Sequence, residues 1–102
     1  MATFQEHCED CIRTIGSPFP HVHKWLDEHF GQDGYPGNKH RRIRHHKEGV
    51  EEARAQWGEL AAKAAEIHIK ADMGTVKTRN EVSKIYPVSK KDLLAIGDYN
   101  VF

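Results

Sequence analysis

The chain has 102 residues, enough for one domain with a modest core. Fifteen lysines and arginines balance fifteen aspartates and glutamates, so the net charge is zero with histidine neutral, which argues against a general nucleic-acid clamp. No apolar run approaches the roughly 18 residues of a membrane span, and the N-terminal MATFQEHCED holds no signal-peptide core, so a cytoplasmic protein without a membrane partner is expected.

Thr3 followed by Glu6 is a capping box. Phe4, Cys8, Cys11, Ile12 and Ile15 then recur on one helical face until Gly16 stops the helix. The turn SPFP leads into a second helix from about Pro20, where a missing N–H costs nothing. Its stripe is Val22, Trp25, Leu26 and Phe30, and Gly31 ends it. The segment GQDGYPG, Gly31 to Gly37, reads as a loop. Asn38 caps a third helix from about Lys39 to Trp57, with Ile43, Val50, Ala53 and Trp57 facing the core. Gly49 inside it costs about 1 kcal/mol relative to alanine, and so marks a kink or the close approach of another backbone. Gly58 separates a fourth helix, about Glu59 to Met73, with Leu60, Ala64, Ile67 and Ala71 inward and Gly74 as its stop.

In the tail, Thr78 and Glu81 form a second capping box. Ser89 and Asp92 offer a cap for a short helix through Ile96, closed by Gly97. No segment alternates with period two. The expected fold is all-α: one domain, with four main helices bundled in residues 3–74 and a C-terminal arm of one or two short helices in residues 75–102.

The eight histidines are the unusual feature of this composition. Three of them and three arginines fall between His40 and His46. At 100° per residue on a continuous third helix, His46 joins Ile43, Val50 and Ala53, His40 lies at the edge of that stripe, and His45 points to solvent. On the second helix His29 falls inside the stripe, while His23 and Asp27, four apart, share its flank. His68 and Asp72 repeat that spacing on the fourth helix. They continue a strip begun by Ala61 and Ala65, whose small side chains let a neighbouring helix come close. His7 sits on the flank of the first helix.

Inward histidines and aspartates from several helices are how bundles build metal sites. His23, Asp27, His40, His46, His68 and Asp72 are therefore the candidate ligands, with zinc, iron or manganese as the suited ions. The same residues would equally serve as a hydrogen-bonded structural network. Arg41 and Arg44 are candidates to hold an anionic or phosphorylated small molecule beside the cluster; the alternative for this basic face is ordinary pairing with Glu48, Glu51 and Glu52. Cys8 and Cys11 form a C-x-x-C on an apolar helix face with no strand before it, which reads as small core residues rather than a redox pair.

The arrangement HVHKWLD, KHRRIRHHKEG and HIKAD resembles a small bacterial and phage-borne family of histidine-rich helical proteins over about Phe4 to Asp72, a resemblance that implies no activity. His40, the doublet His45-His46 and Asp72 also fall in the order used by the HD superfamily of metal-dependent phosphohydrolases. His46 stands where that family has its paired aspartate. The likeness implies metal binding and phosphoester chemistry.

The function expected on these grounds is metal binding, with metal-dependent phosphoester hydrolysis as the chemistry such a centre supports. The alternative is a non-enzymatic interaction or regulatory module, in which the tail GDYNVF contacts a protein partner or a second copy of the chain.

Overall fold

The computed structural model describes residues 3–32, 34–87, 89 and 91. It is all-α, with no strand among those residues: α1 (Phe4–Ile15), α2 (Pro20–Leu26), α3 (Arg41–Arg44), α4 (Lys47–Trp57), α5 (Glu59–Met73) and α6 (Arg79–Ile85). No helix among them is long and apolar enough to cross a membrane. The short helix expected after Ser89 and the tail GDYNVF lie outside the described residues.

Local chemistry sets the helix ends. Thr3 and Thr78 each cap a helix through a complete box, with Glu6 and Glu81 reaching back to the cap. Gly16 and Gly74 close α1 and α5 in the left-handed conformation that glycine adopts without strain. Pro20 opens α2 after Phe19, which itself holds a positive φ of 47°.

α5 is the central helix and packs against α1, α2 and α4, while α3 bridges to α4 and α6. One apolar cluster joins these elements through Cys11, Val22, Leu26, Val50, Ala53, Ala61, Ala62, Ala64, Ala65 and Ile69. Half of those residues are alanine. Such small side chains bring helix backbones close but bury little area each, so the imidazoles beside them form a large share of the interior. His7, His23, His40, His45, His46 and His68 are all buried.

Three expectations are corrected here. The second helix stops at Leu26 rather than near Phe30, because Asp27 leaves the helical path to serve as its C-cap. Phe30 is then largely exposed, and His29 pairs with Gln32 (Nδ1 to Oε1, 2.8 Å) instead of entering the core. The third helix is not continuous: α3 ends at Arg44, His45 and His46 break the path, and α4 starts at Lys47. The inward faces of α1 and α5 are also rotated. Phe4, Ile12 and Leu60 are about half exposed, and burial goes to His7, Cys11, Ala61, Ala65, His68 and Ile69. The polar strips face inward because they bring His7, His68 and Asp72 together.

Gly49 makes the break in the third helix sterically possible. A Cβ added there would lie 1.9 Å from the carbonyl oxygen of Arg44 and 2.7 Å from its carbonyl carbon. The backbone before α4 folds back onto the first turn of that helix, and only glycine leaves room for it.

Candidate metal centre

Five side chains from four parts of the chain converge. Asp27 caps α2, His40 precedes α3, His45 sits at the break after α3, and His68 and Asp72 lie one turn apart on α5. Oδ1 of Asp27 is 3.3 Å from Nε2 of His40, of His45 and of His68. Oδ2 of Asp72 is 3.3 Å from His45 Nε2 and 3.2 Å from His68 Nε2. Its other oxygen, Oδ1, is 3.3 Å from Nε2 of His7.

These separations carry more information than closeness alone. Metal–nitrogen and metal–oxygen bonds of about 2.0–2.2 Å place tetrahedral ligands about 3.3–3.6 Å apart. Four of the six edges of the set Asp27, His45, His68, Asp72 measure 3.2 to 3.3 Å. All four donor atoms lie within 4.8 Å of one another. Yet His45 Nε2 and His68 Nε2 are buried without a hydrogen bond, as are both nitrogens of His7 and Asp72 Oδ1. The ring nitrogens sit at ligand spacing but do not point at the oxygens. Buried donor atoms that stand at ligand spacing without hydrogen bonds are open to a shared ion, and unpaired burial of each would otherwise cost about 1–3 kcal/mol.

Charge points the same way. Burial opposes ionisation of Asp27, but His40, His45 and His68 hold its carboxyl far below the ordinary range. Burial likewise opposes ionisation of Asp72, and His45, His68 and His7 outweigh it. Two ionised carboxylates carry a charge matched by one divalent cation. Burial disfavours the charged form of His68, but Asp27 and Asp72 reverse that and raise its pKa. The two carboxylates thus draw positive charge to this position, and metal binding competes with protonation of such a ligand. The donor set is nitrogen and oxygen, which fits zinc, iron(II) or manganese.

The residues singled out from the sequence fall into three groups. Asp27, His40, His68 and Asp72 meet in the cluster. His23 stands behind it: its Nδ1 is 3.0 Å from Nδ1 of His68, and its Nε2 is 3.0 Å from the Pro18 carbonyl and 3.3 Å from Cys11 Sγ. His46 does not reach the cluster. Its Nδ1 accepts from Gly49 N at 3.0 Å as the N-cap of α4, which leaves Nε2 as a donor to the Arg42 carbonyl at 3.1 Å. Both of its nitrogens thus meet backbone, and Arg79 Nε also lies 3.4 Å from Nε2.

His45, placed toward solvent by helical phase, is fully buried and takes the inward role assigned to His46. Helical phase holds only along a continuous helix, and the break after Arg44 resets it. His7, a flank residue by spacing on α1, is buried and stacks on His68 with ring centroids 3.6 Å apart. The two unpaired nitrogens on His7 have no counterpart in the sequence pattern.

The arginines are engaged elsewhere. Arg44 lies over the Trp25 ring at 4.5 Å and donates to the Trp25 carbonyl (2.6 Å) and to Glu28 (3.1 Å), tying α3 to α2. Arg41 is buried and donates to the Tyr86 hydroxyl at 2.8 Å, with its Nε left over.

His46→Ala separates capping from coordination. It is expected to lower stability by about 1–2 kcal/mol through loss of the cap, while metal uptake is retained. Calorimetry alongside metal analysis checks both halves; loss of metal from a still-folded variant would return His46 to the ligand set.

No family model matches the sequence, and neither the curated proteins nor the solved structures hold a significant match to it.

Proposed function

We propose that this chain is a metal-binding helical protein whose centre is formed by Asp27, His45, His68 and Asp72, with His40 beside Asp27. The reading is carried by one observation: donor atoms from these four residues lie within 4.8 Å of one another, with the imidazole Nε2 atoms of His45 and His68 buried and unpaired. Zinc, iron(II) or manganese is the proposed ion.

Metal content by mass spectrometry tests it. Untagged protein purified without added metal or chelator is expected to carry close to one equivalent, and His45→Ala/Asp72→Asn to carry none. Parent protein that stays metal-free after soaking would leave the residues as a structural network.

A hydrolytic role is the second reading, favoured by the opening at Asp27. Its side chain is 36 % exposed while His45, His68 and Asp72 are at most 2 % exposed. Structural metal sites are closed, whereas catalytic ones keep a position open to water or substrate. A divalent ion there would supply Lewis acidity and a hydroxide at neutral pH. Asp72 and His68 would hold their donors rigidly from α5, and solvent would enter past Asp27. An anionic or phosphorylated small molecule is the substrate class proposed, with Arg41, whose Nε is buried and unpaired, as its proposed cationic partner. Turnover of p-nitrophenyl phosphate by metal-loaded parent, lost in Asp72→Asn, would support this role; no turnover with any of the three metals would confine the protein to binding.

A further inference from the structure

Behind the cluster runs a chain of contacts that the ligand set does not use. The turn before α2 places Phe19 between two prolines at φ 47° and ψ 52°. A phenylalanine in the left-handed region is strained and persists only where its surroundings demand it. Here the same turn aims the Pro18 carbonyl at Nε2 of His23, 3.0 Å away. A carbonyl oxygen only accepts, so His23 Nε2 carries the proton. In neutral His23 the other nitrogen, Nδ1, is then a bare acceptor. It lies 3.0 Å from Nδ1 of His68, which must therefore be the donor. With its proton fixed on Nδ1, His68 presents Nε2 to Asp27 and Asp72 as the coordinating atom.

His68 is distinctive in this respect. Nδ1 of His40 and Nδ1 of His45 have no hydrogen-bond partner among the described residues. Their tautomers are not set by the described protein groups. Outer partners of ligating histidines are usually carboxylates, carbonyls or waters, and they raise ligand basicity and fix ring orientation. In this chain an imidazole takes that place and passes the constraint on to a backbone carbonyl.

We propose that His23 is a positioning residue for the metal centre: anchored by the Pro18 carbonyl, it accepts the Nδ1 proton of His68 and so fixes the tautomer and orientation in which His68 binds the ion. This rests on the metal-binding reading above and adds to it a residue that does not touch the metal.

The test uses the full chain and zinc alone. Competition against a chromophoric chelator gives the affinity of the parent, His23→Leu and His23→Asn. Leucine removes both hydrogen bonds, and its zinc affinity is expected to fall by about 10–100-fold, the range typical of lost outer partners. Asparagine places an amide oxygen near the position of Nδ1, accepts from His68 again, and is expected to recover most of the loss. Nitrogen-15 NMR of the zinc-loaded parent is expected to show the His68 proton on Nδ1, a signature that a purely space-filling role would not produce and that does not depend on whether the leucine variant folds. Parent-like affinity in His23→Leu, or a His68 proton on Nε2, would overturn the proposal while leaving zinc binding intact. A parent protein that takes up no zinc would overturn both readings.

Discussion

Zinc added to metal-free protein is expected to raise the thermal unfolding midpoint by about 10–20 °C. An ion that binds only the folded state stabilises it by about 2.7 kcal/mol at a free concentration 100 times its dissociation constant. For a domain of this size, each kcal/mol moves the midpoint by about 4–8 °C. The ligands come from the end of α2, the segments on either side of α3, and α5, so no unfolded chain holds them together and the binding energy adds to folding energy. Excess chelator is expected to reverse the shift. Asp72→Asn is expected to remove most of it, since one neutral amide oxygen then replaces the carboxylate beside His45, His68 and His7. Scanning calorimetry with and without zinc, cobalt or manganese decides the matter. A midpoint that no ion moves would mean that the histidines and aspartates hold the fold by hydrogen bonds alone.

Gly49→Ala carries the second large effect, and its sign is informative. By helix propensity alone the change would stabilise α4 by about 1 kcal/mol. The new Cβ, however, would meet the Arg44 carbonyl oxygen at 1.9 Å. Both are backbone-anchored, so no side-chain rotation relieves the clash. The chain must open where His45 and His46 leave α3. We expect a loss of about 3 kcal/mol or more, at or beyond the upper end for overpacking. His45 belongs to the displaced segment, so zinc affinity is expected to fall as well. Urea unfolding measures the first effect and chelator competition the second. An alanine variant as stable as the parent would mean that the break between α3 and α4 closes at no cost.

The all-α class, the two capping boxes, the glycine stops after α1, α4 and α5, and the closeness of His68 to Asp72 were legible in the sequence. All of these are local. A cap needs a side chain within three residues of the N–H it accepts from, and residues four apart on a helix share a face wherever the helix lies. The strip of Ala61 and Ala65 below His68 was legible for the same reason, and its alanines are fully buried. Gly49 could be flagged as a kink or a close approach, because glycine inside a helix asks for a cause.

Which histidines form the centre was decided by tertiary structure. The exchange of His45 for His46 depends on a break for which the missing Cβ of Gly49 leaves room; periodicity presumes a helix and cannot report where one stops. The burial of His7 and the link from His23 to His68 depend on α1 and α2 packing against α5, contacts that no spacing along the chain encodes. Arg44 was similarly diverted to Trp25 and Glu28 once α3 lay beside α2. Sequence alone determined the donor types and the helices that carry most of them, because those follow from short-range rules. Which lone pairs meet was left to the folded chain, because a coordination site is defined by distances of about 3 Å between segments far apart in sequence.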